Sequence, residues 1–158
     1  MILVDKFFEN KKDLKTIKKI ALHEISANPV TAEGFPKWQS LNFMQKKYAE
    51  NSAMKYLVKK SLEITRSHFN DNSITIYSIW FVLSKKDEFY PWHFHDHRAT
   101  GLIYISKCKN KGTLFRFHDL PFQLHNVKNN NAIFFGDKLY HTVPNDDENR
   151  ITCAIDFN

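Results

Sequence analysis

Five short runs dominate the sequence from residue 73 onward: "SITIYSIWFVLS", "TGLIYIS", "TLFRF", "NAIFFG" and "RITCAIDF". Each is rich in Ile, Phe, Tyr, Trp and Thr, and turn-prone stretches such as "KNKG" and "KNNN" separate them. Side chains of these types suit a pleated, half-buried surface, so the series predicts strands of a sandwich or barrel.

Before residue 70 the texture differs. In "NKKDLKTIKKIALHEISAN", Leu14, Ile17, Ile20, Ala21 and Glu24 recur at helical spacing, and "NSAMKYLVKKSLEITRSHF" repeats the pattern with Met54, Leu57, Val58, Ser61, Leu62 and Thr65. The spacing predicts helices over about 11–26 and 51–69, joined by an irregular segment that contains Pro29, Gly34 and Pro36. With 158 residues and no linker or repeat, the expectation is one domain, its helical part over about 11–69 and its β core over about 73–158. The helices should pack on the β body.

Composition narrows the function classes. An apolar fraction of 42% is that of a globular chain, and no apolar run is long enough to span a membrane. The start, "MILVDKFFENKK", reads as neither a signal peptide nor a transit sequence, and Cys108 and Cys153 lack a C-x-x-C partner. Buried thiols in a reducing, cytoplasmic setting are expected. The net charge of +6 is confined to residues 1–66, which hold 13 Lys and Arg against 7 Asp and Glu. Solvated helix faces account for that excess. An acidic partner such as nucleic acid is the alternative, although no nucleic-acid-binding signature accompanies it.

The chemistry concentrates in "PWHFHDHRATGLIYI", residues 91–105. Along a strand, residues two apart face one side, so His93, His95 and His97 can share a wall while Phe94 and Asp96 face away. Imidazoles so spaced suit a transition metal; the alternative is polar histidines on an exposed strand end. A second segment favours the metal. "NAIFFGDKLYHTVPNDDENRITCAIDF" has an apolar strand, a turn at Gly136 and Asp137, a lone His141, and then Arg150 opening the last strand. A distant histidine completes one face of an ion, and a guanidinium pairs bidentately with carboxylate.

In order and character, "HFH", "HRATGLIYIS", "GTLFRF", "AIFFGDKLYHTVPN" and "RITCAIDF" resemble the iron(II)- and 2-oxoglutarate-dependent oxygenases. The likeness is to their small phage-associated and bacterial members, whose signature runs H-x-H, a G-x-x-Y strand, a G-x-L-x-F strand, F-P-x-x-L-x-H-x-V-x-P-N and R-x-S-x-x-x-N/D-F. It spans about residues 73–158. The resemblance implies a double-stranded β-helix, a cupin-like jelly roll, with flanking N-terminal helices. It implies Fe(II) on His93, His95 and His141, with 2-oxoglutarate and O2 as co-substrates and with succinate, CO2 and a hydroxylated product released. Arg150 matches the arginine that pairs with the far carboxylate of 2-oxoglutarate, Thr152 stands where the signature has serine, and Tyr104 could supply another hydroxyl.

The sequence departs from that family in two places. The wider superfamily has H-x-D or H-x-E, whereas His95 occupies the second position here and Asp96 points the other way unless the strand bulges. Gly136 replaces the signature's proline. His95 and His97 also form an equally good H-x-H, one strand step on.

The rival from another class is a cupin holding a metal on three histidines without 2-oxoglutarate. Its usual glutamate shortly after H-x-H is absent from "DHRATG". The third reading is a basic nucleic-acid-binding module, which leaves Arg150 and His141 unexplained. His118 and His125, around the loop-like "HDLPFQLH", read as surface residues, and Trp38, Trp80 and Trp92 as core or rim packing. No substrate is legible, small molecule, peptide or otherwise, and neither is an oligomeric state.

Overall fold

The computed structural model describes residues 1–27, 38–86, 91–106, 111–118, 120–125, 127–136, 138–143 and 149–158. The segment with Pro29, Gly34 and Pro36, together with Cys108, Asp137 and the side chain of His125, lies outside the described residues. The first long helix, α1 (Lys11–Ala27), buries Ile17, Ile20, Ala21, Glu24 and Ile25 along one stripe. A single turn, α2 (Met44–Lys47), adds to the expected pair of helices. The second long helix, α3 (Ser52–Phe69), begins after Asn51, whose Oδ1 accepts the N–H groups of Ala53 and Met54 at 3.0 and 3.1 Å. Such a cap satisfies donors that the first helical turn leaves without partners.

Among the described residues, eight strands make two antiparallel sheets. The larger contains β1 (Ile2–Val4), β2 (Ile76–Ser84), β3 (Ala99–Tyr104), β6 (Ala132–Gly136) and β8 (Arg150–Phe157), in the order β1-β6-β3-β8-β2. The smaller contains β4 (Lys111–Phe117), β5 (Leu120–His125) and β7 (Tyr140–Thr142), in the order β5-β4-β7.

Three of these strands depart from the sequence reading, and one of them, β7, is a short strand where a lone histidine after a turn was expected. The stretch around "HDLPFQLH", expected as a loop, contains β5, which pairs Phe122 with Phe115 and Pro121 with Arg116. A proline is tolerated there because β5 is an edge strand and needs no donor on its open side. The apolar patch at the N-terminus becomes β1, an edge strand on β6 with Leu3 opposite Ile133.

The larger sheet is covered on both faces, and the period-two alternation of each strand sorts its residues between them. Ile79 and Phe81 of β2, Ala99 and Ile103 of β3, Ala132 and Phe134 of β6, and Ile151, Cys153, Ile155 and Phe157 of β8 join the apolar side chains of α1 and α3 in one core. The alternate residues Leu102, Tyr104, Ile133, Phe135 and Ala154 pack with Phe115 of the smaller sheet in a second core. Full burial of one such apolar side chain contributes roughly 1.5–3 kcal/mol, so both layers matter to stability. Cys153 is buried in the helix-side layer, and burial pushes its thiol pKa up, which leaves it a packing residue. Among the described residues no helix is long and apolar enough to cross a membrane.

Candidate metal centre

The segment from Pro91 to Arg98 is not a continuous strand, contrary to the expectation for its histidines. His93 alone is bridged, to His141 of β7, by a reciprocal main-chain pair: His93 N–H to His141 O at 3.0 Å and His141 N–H to His93 O at 2.8 Å. The chain then bends over residues 96–98 before β3 begins. That bend separates the three alternate histidines. The rings of His93, His95 and His141 converge, with centroids 4.3 to 5.2 Å apart, and one potential ligand atom from each lies within 4.8 Å of the others.

His97 turns aside. Its Nδ1 lies 3.0 Å from Asn158 Oδ1, and its ring lies 4.6 Å from that of Tyr77. Of the two H-x-H frames, the structure therefore brings His93 and His95 together with His141. Asp96 points to solvent, its side chain 83% exposed and its carboxylate 3.8 Å from Lys138 Nζ, so it does not join the three imidazoles.

The hydrogen bonds of the three rings assign their tautomers. His93 Nδ1 lies 3.0 Å from Pro91 O, His141 Nδ1 lies 3.0 Å from Leu139 O, and His95 Nδ1 lies 2.6 Å from Asp156 Oδ1. Each acceptor holds a proton on Nδ1, which leaves Nε2 as the lone-pair nitrogen of every ring. Burial, the largest influence on both, lowers the pKa of His93 to about 4 and that of His141 to about 3. Both rings are therefore neutral at pH 7.

This has a consequence for acid stability. An unfolded histidine titrates near 6.5, so below that pH the unfolded chain takes up protons that the folded metal-free chain resists until pH 4 and below. Stability is thus complete above pH 6.5 and falls as the pH drops towards 4, by at most about 1.4 kcal/mol per pH unit for each imidazole. Urea midpoints of metal-free protein between pH 7 and pH 5 should show this slope, and His93→Gln/His141→Gln should flatten it. An equal slope in both proteins would assign the effect elsewhere.

The three histidines open onto a cavity of about 380 Å³ between the two sheets, within the size range of small-molecule sites. Its far wall is built from alternate residues of β2 and β8, including Trp80, Val82, Thr152 and Ala154. Trp80, read from the sequence as packing, stacks on His95 with centroids 5.4 Å apart. Thr152 lines the cavity, and Arg150, 1% exposed, lies on the same face of β8 two residues earlier. The guanidinium carbon of Arg150 is 5.8 Å from the Tyr104 ring centroid, and the Tyr104 hydroxyl is 2.6 Å from Thr113 Oγ1. Thr113, a further lining residue, and Asp156 carried no role in the sequence reading. Asp156 was reachable, since it continues the series Arg150, Thr152, Ala154 at period two. Trp92 lies under the Arg116 guanidinium, Trp38 under Lys85 Nζ, and His118 is exposed with φ 53°.

No protein-family model and no curated protein matches the sequence. Solved structures do match its shape. A viral collagen prolyl hydroxylase from Paramecium Bursaria Chlorella virus-1, in complex with 2OG, superimposes with a TM-score of 0.69 at 15% identity, covering 99% of this chain and 94% of its own. A Pseudomonas putida prolyl-4-hydroxylase gives 0.72 at 11% identity, with 99% and 91% covered. EctD from S. alaskensis, solved with bound Fe, gives 0.71 at 12% identity, with 99% and 72% covered. The fold is a double-stranded β-helix. At these identities the likeness is one of fold, and what the site does rests on its own residues.

Proposed function

We propose that the protein is an Fe(II)- and 2-oxoglutarate-dependent dioxygenase that hydroxylates its substrate with release of succinate and CO2. The observation that carries the metal is the set of three Nδ1 hydrogen bonds. Metal-binding histidines characteristically donate the other ring N–H to a carbonyl or carboxylate, and His93, His95 and His141 all have such an acceptor. Three imidazoles from one side suit Fe(II) and leave its opposite side for small ligands. When bound, the iron supplies the activation of O2 that is coupled to decarboxylation of the keto acid.

The chain's own residues do the rest. Arg150 anchors the far carboxylate of 2-oxoglutarate, with the hydroxyl of Thr152 beside it and the Tyr104–Thr113 pair nearby. The cavity walls, Trp80 among them, keep water from the rings. The mouth, with Tyr77 and Phe94 half-exposed, receives the substrate.

The three-histidine set also suits a cupin-type metalloprotein that takes no keto acid. Arg150, a cation buried on the face that lines the site, favours the oxygenase. Calorimetric titration of the Fe(II)-loaded protein with 2-oxoglutarate, without oxygen, separates the two. Saturable binding at one equivalent per iron is expected. Iron binding with no response to 2-oxoglutarate would leave only the cupin reading.

A further inference from the structure

In a site with two histidines and one carboxylate, the carboxylate brings negative charge to the ion directly. Here the corresponding residue is His95, an imidazole in place of a carboxylate, and a carboxylate stands immediately behind it. Asp156 Oδ1 lies 2.6 Å from His95 Nδ1, and both side chains are about nine-tenths buried. The carboxylate is itself held: Thr100 Oγ1 donates to Oδ1 at 3.3 Å from the paired position on β3, and His97 Nε2 lies 3.4 Å from Oδ2. His97 is in turn fixed by Asn158 and Tyr77.

We infer that Asp156 is a positioning residue for the metal site: through His95 it supplies, one hydrogen bond removed from the ion, the negative charge that a carboxylate ligand would bring directly. The inference rests on the metal reading above, though not on the use of 2-oxoglutarate. A carboxylate accepting from Nδ1–H does three things. It holds the proton of the uncharged ring on Nδ1 so that Nε2 carries the lone pair, it fixes the plane of the ring, and it raises the electron density that the ring offers a cation. The backbone carbonyls behind His93 and His141 do the first two without a formal charge. His95 is thus the one ligand of the three with an anion behind it. The alternate histidines "HFHDH" acquire separate duties on this reading: His93 and His95 face the ion, and His97 braces the carboxylate that serves His95.

The test is Co(II) affinity, measured by competition with a chromophoric chelator, in wild type, Asp156→Asn and His95→Asp/Asp156→Asn. Asparagine keeps the size and an oxygen acceptor for Nδ1–H, so it removes charge with little change in geometry, and unchanged thermal midpoints of the metal-free proteins confirm that the fold survives. Asp156→Asn should bind Co(II) roughly 10- to 100-fold more weakly, the usual effect of losing such a partner. The double variant, with a carboxylate back at the ligand position, should recover at least about tenfold of that loss. Equal affinity in wild type and Asp156→Asn overturns the inference. So does a double variant that binds no better than the single one, because charge is then not what was lost. A wild type that takes up no Co(II) overturns the metal reading beneath it as well.

Discussion

His141→Ala is expected to take the protein from one Fe(II) per chain to none. The reason is geometric. His93 and His95 approach from one short segment, and His141, carried on β7 of the smaller sheet, closes the third side of the group. Two imidazoles from one segment hold a labile ion that dialysis removes. His141 is also buried against Phe115 and Phe135, with centroids 5.9 and 5.2 Å away, so alanine leaves a cavity that costs stability of its own. His141→Leu controls for this by refilling the space without a nitrogen. The main-chain pairing of His93 with His141 persists in both variants, because it uses no side-chain atom. Elemental analysis after anaerobic loading reads the result directly, and full occupancy in either variant would remove His141 from the site.

Arg150→Met should abolish tight binding of 2-oxoglutarate while leaving iron binding intact. A charge-assisted bidentate pair in a partly dry pocket is worth about 2–5 kcal/mol, and its loss corresponds to roughly 30-fold or more in affinity. Methionine keeps much of the aliphatic bulk at a position with 1% exposure. The buried ring of Tyr104, whose hydroxyl is tied to Thr113, preserves the floor beneath it. Parallel titrations of the two Fe(II)-loaded proteins without oxygen decide the matter. Equal affinity would sink the anchoring role.

What was legible in the sequence follows from how locally each feature is specified. The long helices and the strand runs announce themselves through apolar period, since burial of one face acts along the element itself. The edge strands β1, β5 and β7 do not. Three residues at the N-terminus become a strand only because β6, far along the chain, offers an open edge, and Pro121 disguises β5 as a turn. At the site, the histidines and Arg150 stood out by residue type and spacing. The choice between the two H-x-H frames depended on a bend over residues 96–98 that no periodicity encodes. Asp156 fell on the N/D position of the R-x-S-x-x-x-N/D-F signature but was given no role, because its partner lies 61 positions away.

The sorting of β8 between two layers bears on how faithfully the chain folds. Arg150, Thr152 and Asp156 face the cavity side, while Ile151, Cys153, Ile155 and Phe157 face the helices. A slip of one position against β2 or β3 would carry a guanidinium and a carboxylate into the greasy layer beneath α1 and α3, and expose four apolar side chains to a polar pocket. Misaligned strands are therefore rejected by the same polar residues that stand on the cavity side of β8. Proofreading of the sheet and construction of this wall of the cavity are one event, and a chain that has paired β8 correctly has placed Thr152 and Asp156 on the cavity side.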